Sequence, residues 1–350
     1  EPPFEPVSPK ELSVWDAEHP VPADAADAAG LRRTMSAASD AQLADLAKDR
    51  AAYRRTVGPA LEAVLATSYP GPGSVRVAGH GGPDRQDGFT VERGTVERAA
   101  DGTRVPYVAL FPDAWDGRVV VWATPDGTQA ALDHARRPTR VAGLALAAGS
   151  AVVVPDLYWT GAAPFAAATG PTATTGPTAA DDRATTRPAG PSPAPANPTY
   201  APKVNPPYAA FTLGYNRSVV GNRVHDLLSV VAMTRGWGRT TSVRLLGTGR
   251  AGPWAVLARA AAGTAVDTLA ADVGGFDFDQ VTTADDEMLL PGAIKYGGLY
   301  GFAALCDRGQ TRLTGVRRTG RFSDLAAATP GVTLVEAAEP EAEAVAWLLK

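Results

Sequence analysis

Along the first part of the chain, apolar positions recur at steps of three and four. Leu31, Met35, Leu43, Leu46, Ala47, Tyr53, Val57, Leu61 and Val64 follow this spacing and predict helix across residues 23–66. Ser39 and Asp40 read as an N-cap in that stretch, and Tyr69-Pro70-Gly71 as its stop. From 74 to 110 the pattern becomes short β segments, with turns at Gly81-Gly82 and Asp101-Gly102. Residues 105–111 followed by 118–122 predict an antiparallel entry into a main sheet. Asp126-Gly127 predicts the start of a helix toward His134, and 139–148 a second one. The unbroken apolar run 151–154 predicts a central parallel strand covered on both faces. Val219, Val220, Val224, Leu227, Leu228, Val231 and Met233 mark a buried helix within 208–237. Then follow a strand at 242–247, a helix at 254–262, a strand at 265–271 and a short helix at 300–305. A strand at 311–316, another at 332–335 and a helix at 341–349 end the series.

Strands alternating with helices in this way predict an α/β fold, a doubly wound and mostly parallel sheet with an N-terminal helical and β extension. Two stretches break the pattern. Residues 1–22 carry six prolines and predict an extended arm packed along a larger body. Residues 161–207 hold 11 of the 30 prolines among threonine, alanine and glycine, and predict a long insertion loop. The division expected is 1–72, arm and helical preface, and 73–350, the α/β domain.

Composition narrows the function classes. The chain has 350 residues, 45% of them hydrophobic, which supports a large core and excludes global disorder. A net charge of −4 offers no footprint for nucleic acid, and no apolar run is long enough for a membrane span. Cys306 stands alone, which excludes an intramolecular disulfide and a cysteine metal cluster. No metal or cofactor is expected. The sequence opens on Glu1, which suggests that a leading segment is removed on export to the periplasm, cell surface or medium.

The candidate chemistry lies in Ser242-Val243-Arg244-Leu245-Leu246-Gly247-Thr248-Gly249-Arg250-Ala251-Gly252-Pro253-Trp254, a strand, a glycine-rich turn and a helix. Two motifs have this shape. One is the dinucleotide fingerprint G-x-G-x-x-G, matched by Gly247, Gly249 and Gly252, with Asp272 twenty residues beyond Gly252 at the place of a ribose-binding acid. It implies an NAD(P)-binding oxidoreductase, but the motif follows several earlier strands, and Pro253 and Trp254 crowd the helix start. The other is the nucleophile elbow, G-x-S-x-G.

The order of elements favours the elbow. Supporting segments are 119–122 with the Thr124-Pro125-Asp126-Gly127 loop, 151–156, Tyr215-Asn216-Arg217 with Arg223-Val224-His225-Asp226, and 290–299. On these the chain resembles the α/β-hydrolase superfamily, in its acetylxylan-esterase-like and dienelactone-hydrolase-like branch. The resemblance implies a serine at the elbow, an acid after a later strand and a histidine near the C-terminus. Set on that pattern, Gly249 stands at the serine position, flanked by Gly247, Arg250, Ala251 and Gly252. Arg317-Arg318-Thr319-Gly320 stands at the acid position. The four histidines, 19, 80, 134 and 225, all precede the elbow.

The expected function is therefore that of a catalytically inactive hydrolase-fold protein, a binding, scaffolding or assembly subunit of an exported or surface complex. A protein partner or a second copy is expected, and a carbohydrate ligand is compatible. The alternative is an active carbohydrate or carboxyl esterase using Ser150 or Ser218 with His134 or His225, the latter next to Asp226. Blander readings accompany these features. His225 and Asp226 suit a packed structural helix, His80-Gly81-Gly82 a turn, and Asp277, Asp279, Asp285, Asp286 and Glu287 a solvated acidic loop. The sequon at Asn216 falls in the expected buried helix, which argues against its use. Gly249 is expected to take a positive φ, with the space above it closed by Arg250 or the insertion.

Overall fold

Val119, Val121 and Val153 face one side of a sheet, Val120, Val152 and Val154 the other, and all six are buried. This period of two, with both faces apolar, is what a sheet sandwiched between helix layers requires. The structure, a computed structural model, describes residues 6–161, 213–317 and 319–350, so nearly all of the proline-rich insertion lies outside the described residues.

Among the described residues ten strands form one sheet: β1 (Val75–Gly79), β2 (Asp84–Gln86), β3 (Phe89–Arg98), β4 (Arg104–Pro112), β5 (Arg118–Ala123), β6 (Ala151–Pro155), β7 (Ser242–Gly247), β8 (Thr268–Asp272), β9 (Gln310–Thr314) and β10 (Val332–Leu334). Their order is β1-β3-β4-β6-β5-β7-β8-β9-β10, with β2 beside β3. Pairing is antiparallel from β1 to β6 and parallel from β6 to β10. The antiparallel entry thus joins β4 to β6, not to β5 as the sequence suggests. Helix α3 (Arg140–Ala147) carries the chain over the sheet and sets β6 between them.

One face is covered by α1 (Ala28–Leu46), α2 (Arg50–Leu65), α4 (Val219–Arg235), α5 (Gly252–Ala262), α6 (Gly298–Ala303) and α7 (Ser323–Ala327). The other is covered by α3 and α8 (Glu341–Leu348). Several boundaries differ from the sequence reading. The single N-terminal helix is two, because Asp49 turns the chain and caps α2, accepting from the Ala51 and Ala52 N–H groups at 2.8 and 3.1 Å. Asp27 caps α1, whereas Ser39 and Asp40 lie inside it and Asp40 pairs with Arg321. The helix expected after Asp126 is a short 3₁₀ turn, Gly127–Ala130. Residues 6–29 are exposed and do not pack along the body.

The two halves of the helical preface contribute unequally. Tyr53, Val57, Leu61 and Leu65, at successive four-residue steps of α2, are buried in the same core as the sheet. In α1 only Leu43 is buried, and Leu31 and Met35 are exposed. Removing a fully buried leucine side chain costs about 2–5 kcal/mol, an exposed one about 0.5 or less. Leu61→Ala should therefore lower the urea midpoint strongly and Leu31→Ala leave it nearly unchanged. Equal shifts would contradict this packing.

Candidate functional site

β7 ends at Gly247, and a turn through Thr248 and the 3₁₀ segment Gly249–Ala251 leads into α5. The three glycines serve different needs. A Cβ on Gly247 would strike Ala255, and one on Gly252 would collide with the carbonyl of Asp272. Both are glycine because strand, turn and neighbouring strand approach closely. Gly249 has room, its nearest neighbours being Pro125 carbons at 3.8 and 3.9 Å, but its φ is +55°. Conformation alone favours glycine there. The positive φ is as expected; the closure by Arg250 is not, since that side chain is 62% exposed and reaches Glu287 instead.

The turn is tied to the strand beside it. Trp122 Nε1 donates to Thr248 Oγ1 at 3.0 Å, and the Thr248 N–H donates to the Ala123 carbonyl at 3.1 Å. Pro125, facing Gly249, has no N–H to offer. Asp156 at the end of β6 accepts from the Thr128 N–H (2.7 Å) and hydroxyl (3.1 Å), which fixes the loop after β5. The Gly161 N–H closes that loop on the Pro125 carbonyl at 3.2 Å.

Behind the turn lies a buried charge cluster. Arg223, only 2% exposed, lays its guanidinium 4.1 Å from the centre of the Trp254 ring. It donates to Glu287 at 2.8 Å and to the Tyr158 carbonyl at 3.1 Å, and Glu287 also pairs with Arg250. Trp254 completes the packing by donating to Met288 Sδ at 3.1 Å. Glu287 is thus a buried counter-ion, which corrects its reading as part of a solvated loop. No cluster of three or more metal-ligating side chains occurs among the described residues. Asp277, also in that acidic stretch, is buried, accepts from the Phe278 and Leu299 N–H groups at 2.8 and 2.7 Å, and is raised by burial to about 6.

His225 and Asp226 sit about two turns along α4. His225 Nδ1 lies 2.9 Å from Arg98 and 2.8 Å from the Thr67 hydroxyl. An arginine only donates, so Nδ1 accepts and the ring proton sits on Nε2. That nitrogen is 3.1 Å from Asp101 but out of line for a hydrogen bond. Burial, with Arg217 and Arg98 close by, holds the imidazole down to about 4. Asp226 accepts the Tyr158 N–H at 2.7 Å, and burial pushes its carboxyl up to about 8.

The serine candidates are elsewhere. Ser218 caps α4 by accepting the Gly221 N–H at 3.0 Å, two turns or about 10 Å along the axis from His225. Ser150 is buried before β6, its hydroxyl without a hydrogen-bond partner, and His134 is exposed. His19 bonds Asp16 and His80 bonds Thr95. Asp272 turns its carboxylate onto the Gly274 N–H at 3.0 Å and packs against Gly315. Asn216 is exposed and precedes α4, so the buried-helix argument against its sequon does not hold. Beyond β9 the chain runs Gly315-Val316-Arg317, and in the segment after β10, Glu339 pairs with Arg312.

A sheet in which β6 slips between β4 and β5, with the elbow following the central strand β7, is the α/β-hydrolase fold. No family model and no curated protein matches the sequence. Among solved structures, a protein of Bacteroides fragilis NCTC 9343 assigned as an acetyl xylan esterase matches with a TM-score of 0.56 and 12% identity, over 94% of this chain and 86% of its own. Acetyl xylan esterase 1 from Thermoanaerobacterium sp. JW/SL YS485 gives 0.48 and 11%, over 83% and 91%. A cold-adapted esterase from an Arctic intertidal metagenomic library gives 0.44 and 12%, over 78% and 96%. This likeness is one of fold.

The buried pair on α4 gives a pH prediction. Asp226 binds a proton more tightly folded than unfolded, so its contribution is full below pH 4 and is lost as pH rises toward 8. His225 has the opposite sign, its contribution being lost as pH falls from 6.5 to about 4. Above pH 6.5 the Asp226 contribution is the one that changes most. The melting temperature should fall between pH 6.5 and 8.5, and Asp226→Asn, which keeps the acceptor for Tyr158, should flatten that fall. An unaltered slope in the variant would rule this assignment out.

Proposed function

We propose that this chain is a non-catalytic member of the hydrolase-fold proteins, a binding or assembly subunit, in an exported or surface complex as the resemblance implies. The observation that carries the reading is Gly249 at the apex of the elbow with Pro125 against it. The position of the nucleophile has no side chain, and a loop that supplies an oxyanion N–H in active hydrolases meets it with an imino acid. Supporting this, the segment 335–340 contains no histidine and the turn after β9 no carboxylate before Arg317. His225, the one histidine near the cluster, spends Nδ1 on Arg98 and Thr67. The cluster at the elbow is filled by ion pairs internal to the chain, which holds the site's shape without offering a base.

Purified protein incubated with p-nitrophenyl acetate and with acetylated xylan tests this directly. The expected result is hydrolysis no faster than buffer. Turnover far above it, surviving repurification, would establish an active esterase working through another serine. Gly249→Ser sharpens the test. The serine must adopt φ near +55°, so the variant should lose about 1 kcal/mol of stability and gain no esterase activity. Appreciable turnover in the variant would reveal a base within reach of the elbow.

A further inference from the structure

β1 ends the sheet on its antiparallel side, and beyond it no further strand lies among the described residues. Its pairing with β3 settles which backbone groups are left over. Residues 75–79 lie opposite residues 98–94 in an unbroken register. At either end, the His80 N–H donates to the Arg93 carbonyl at 2.8 Å and the Ala99 N–H to the Ser74 carbonyl at 3.0 Å. Hydrogen-bonded positions alternate along an antiparallel ladder. Positions 74, 76, 78 and 80 therefore bond β3, and Val75, Val77 and Gly79 turn their N–H and C=O groups outward.

The side chains alternate too. Val77 stands opposite the fully buried Val96 yet is itself 51% exposed, so the apolar face beneath α4 runs out at β1 on an uncovered valine. Val75 shares that face, partly buried against the same core. Arg76 and Ala78 take the other face, with Arg76 opposite Glu97. The edge lacks the usual guards: β1 has no proline and no bulge, and its one charge lies on the face away from the core. A Cβ on Gly79, Gly81 or Gly82 would meet nothing within 4 Å, so the space beside the edge is open. The opposite edge differs, since β10 has three residues and its Val332 is buried.

We propose that β1 pairs antiparallel with β1 of a second copy about a twofold axis at Val77, joining the two sheets into one. In that register Val75 meets Gly79, Val77 meets Val77 and Gly79 meets Val75, hydrogen-bonded pairs that use every outward group of the strand. The two Val77 side chains close the apolar face, and Gly79 leaves room for Val75. Arg76 falls opposite Ala78 and keeps Glu97 on its other side, so no like charges are directly opposed. Neighbouring registers are worse. An axis at Arg76 sets arginine against arginine, and one at Ala78 carries Val75 past the end of the partner strand. The strand is its own best complement, as a contact between identical surfaces requires. This deepens the assembly reading above and makes no use of the elbow.

Sedimentation velocity of the full chain from about 1 to about 100 µM tests the contact, because a short paired edge dissociates on dilution. A reversible dimer is expected. Val77→Lys opposes two charges at the axis and should weaken the dimer about tenfold or more. At the dilute end, where both forms are single chains, its melting temperature should stay within about 2 °C of the parent's. Cysteine variants read the register and decide alone if the lysine variant fails to fold. Val77→Cys brings two Cα atoms to about 5.5 Å, within disulfide reach, and should cross-link on mild oxidation. Arg76→Cys lies about 7–8 Å from its counterpart and should not. The native Cys306 is buried. A chain that stays single at every concentration would overturn the proposal and leave the edge to a strand of another protein. A dimer that Val77→Lys leaves intact, or equal cross-linking of the two cysteine variants, would overturn it as well. Ester turnover is separate: a failed dimer leaves the non-catalytic reading standing, and turnover leaves the dimer standing.

Discussion

The arrangement around the elbow depends on one buried guanidinium. Taking an arginine out of water costs several kcal/mol unless it is paired and hydrogen-bonded. Arg223 meets this condition by joining pieces of chain that are distant in sequence: the indole of α5, the carboxylate of Glu287 after β8, and the carbonyl of Tyr158 after β6. Each partner fixes a different wall. Trp254 seats the first turn of α5 under the elbow, Glu287 brings Arg250 across its flank, and Tyr158 begins the turn that reaches Pro125. Loss of Glu287 would leave the Arg223 charge buried without its counter-ion, which ties the walls around it together.

A second polar set does the same on the other side of α4. His225, Arg98 and Thr67 join the helix to the β3–β4 hairpin and to the end of α2. The histidine serves as an acceptor for arginine, a task for which its neutral form is required and proton transfer is a disadvantage. This is why burial and two neighbouring cations, rather than a carboxylate in hydrogen-bond alignment, dominate its surroundings.

Much of the fold was legible in the sequence because strong periodicity records burial. The runs 119–122 and 151–154, the helix face of Val219 to Met233 and the strand–turn–helix at 242–262 all form as their patterns imply. The break at Asp49 was hidden because α2 continues the apolar spacing of α1, and a cap is visible only once the neighbouring N–H groups converge on it. The place of β6 was hidden because pairing between strands is not written in either strand alone. At the site, Gly247, Gly249 and Gly252 were plain, but Glu287 was not: an acid in a loop with Asp285 and Asp286 looks solvated until Arg223 is known to lie beneath it. The clue was available in α4 itself, where the charged or ionisable Arg223, His225 and Asp226 interrupt a run rich in valine and leucine.

The glycines of the elbow also bear on how such a protein can drift. Gly247 and Gly252 are held by the backbones pressed against them, whatever chemistry takes place above, while position 249 is restricted only by its own torsion angle. Asparagine or aspartate, which tolerate that torsion better than other residues, could enter there at little cost. Position 249 can therefore change at little cost to packing, whereas the two glycines beside it cannot. The outline of an elbow in a sequence is thus first a record of how closely strand, turn and neighbouring strand approach.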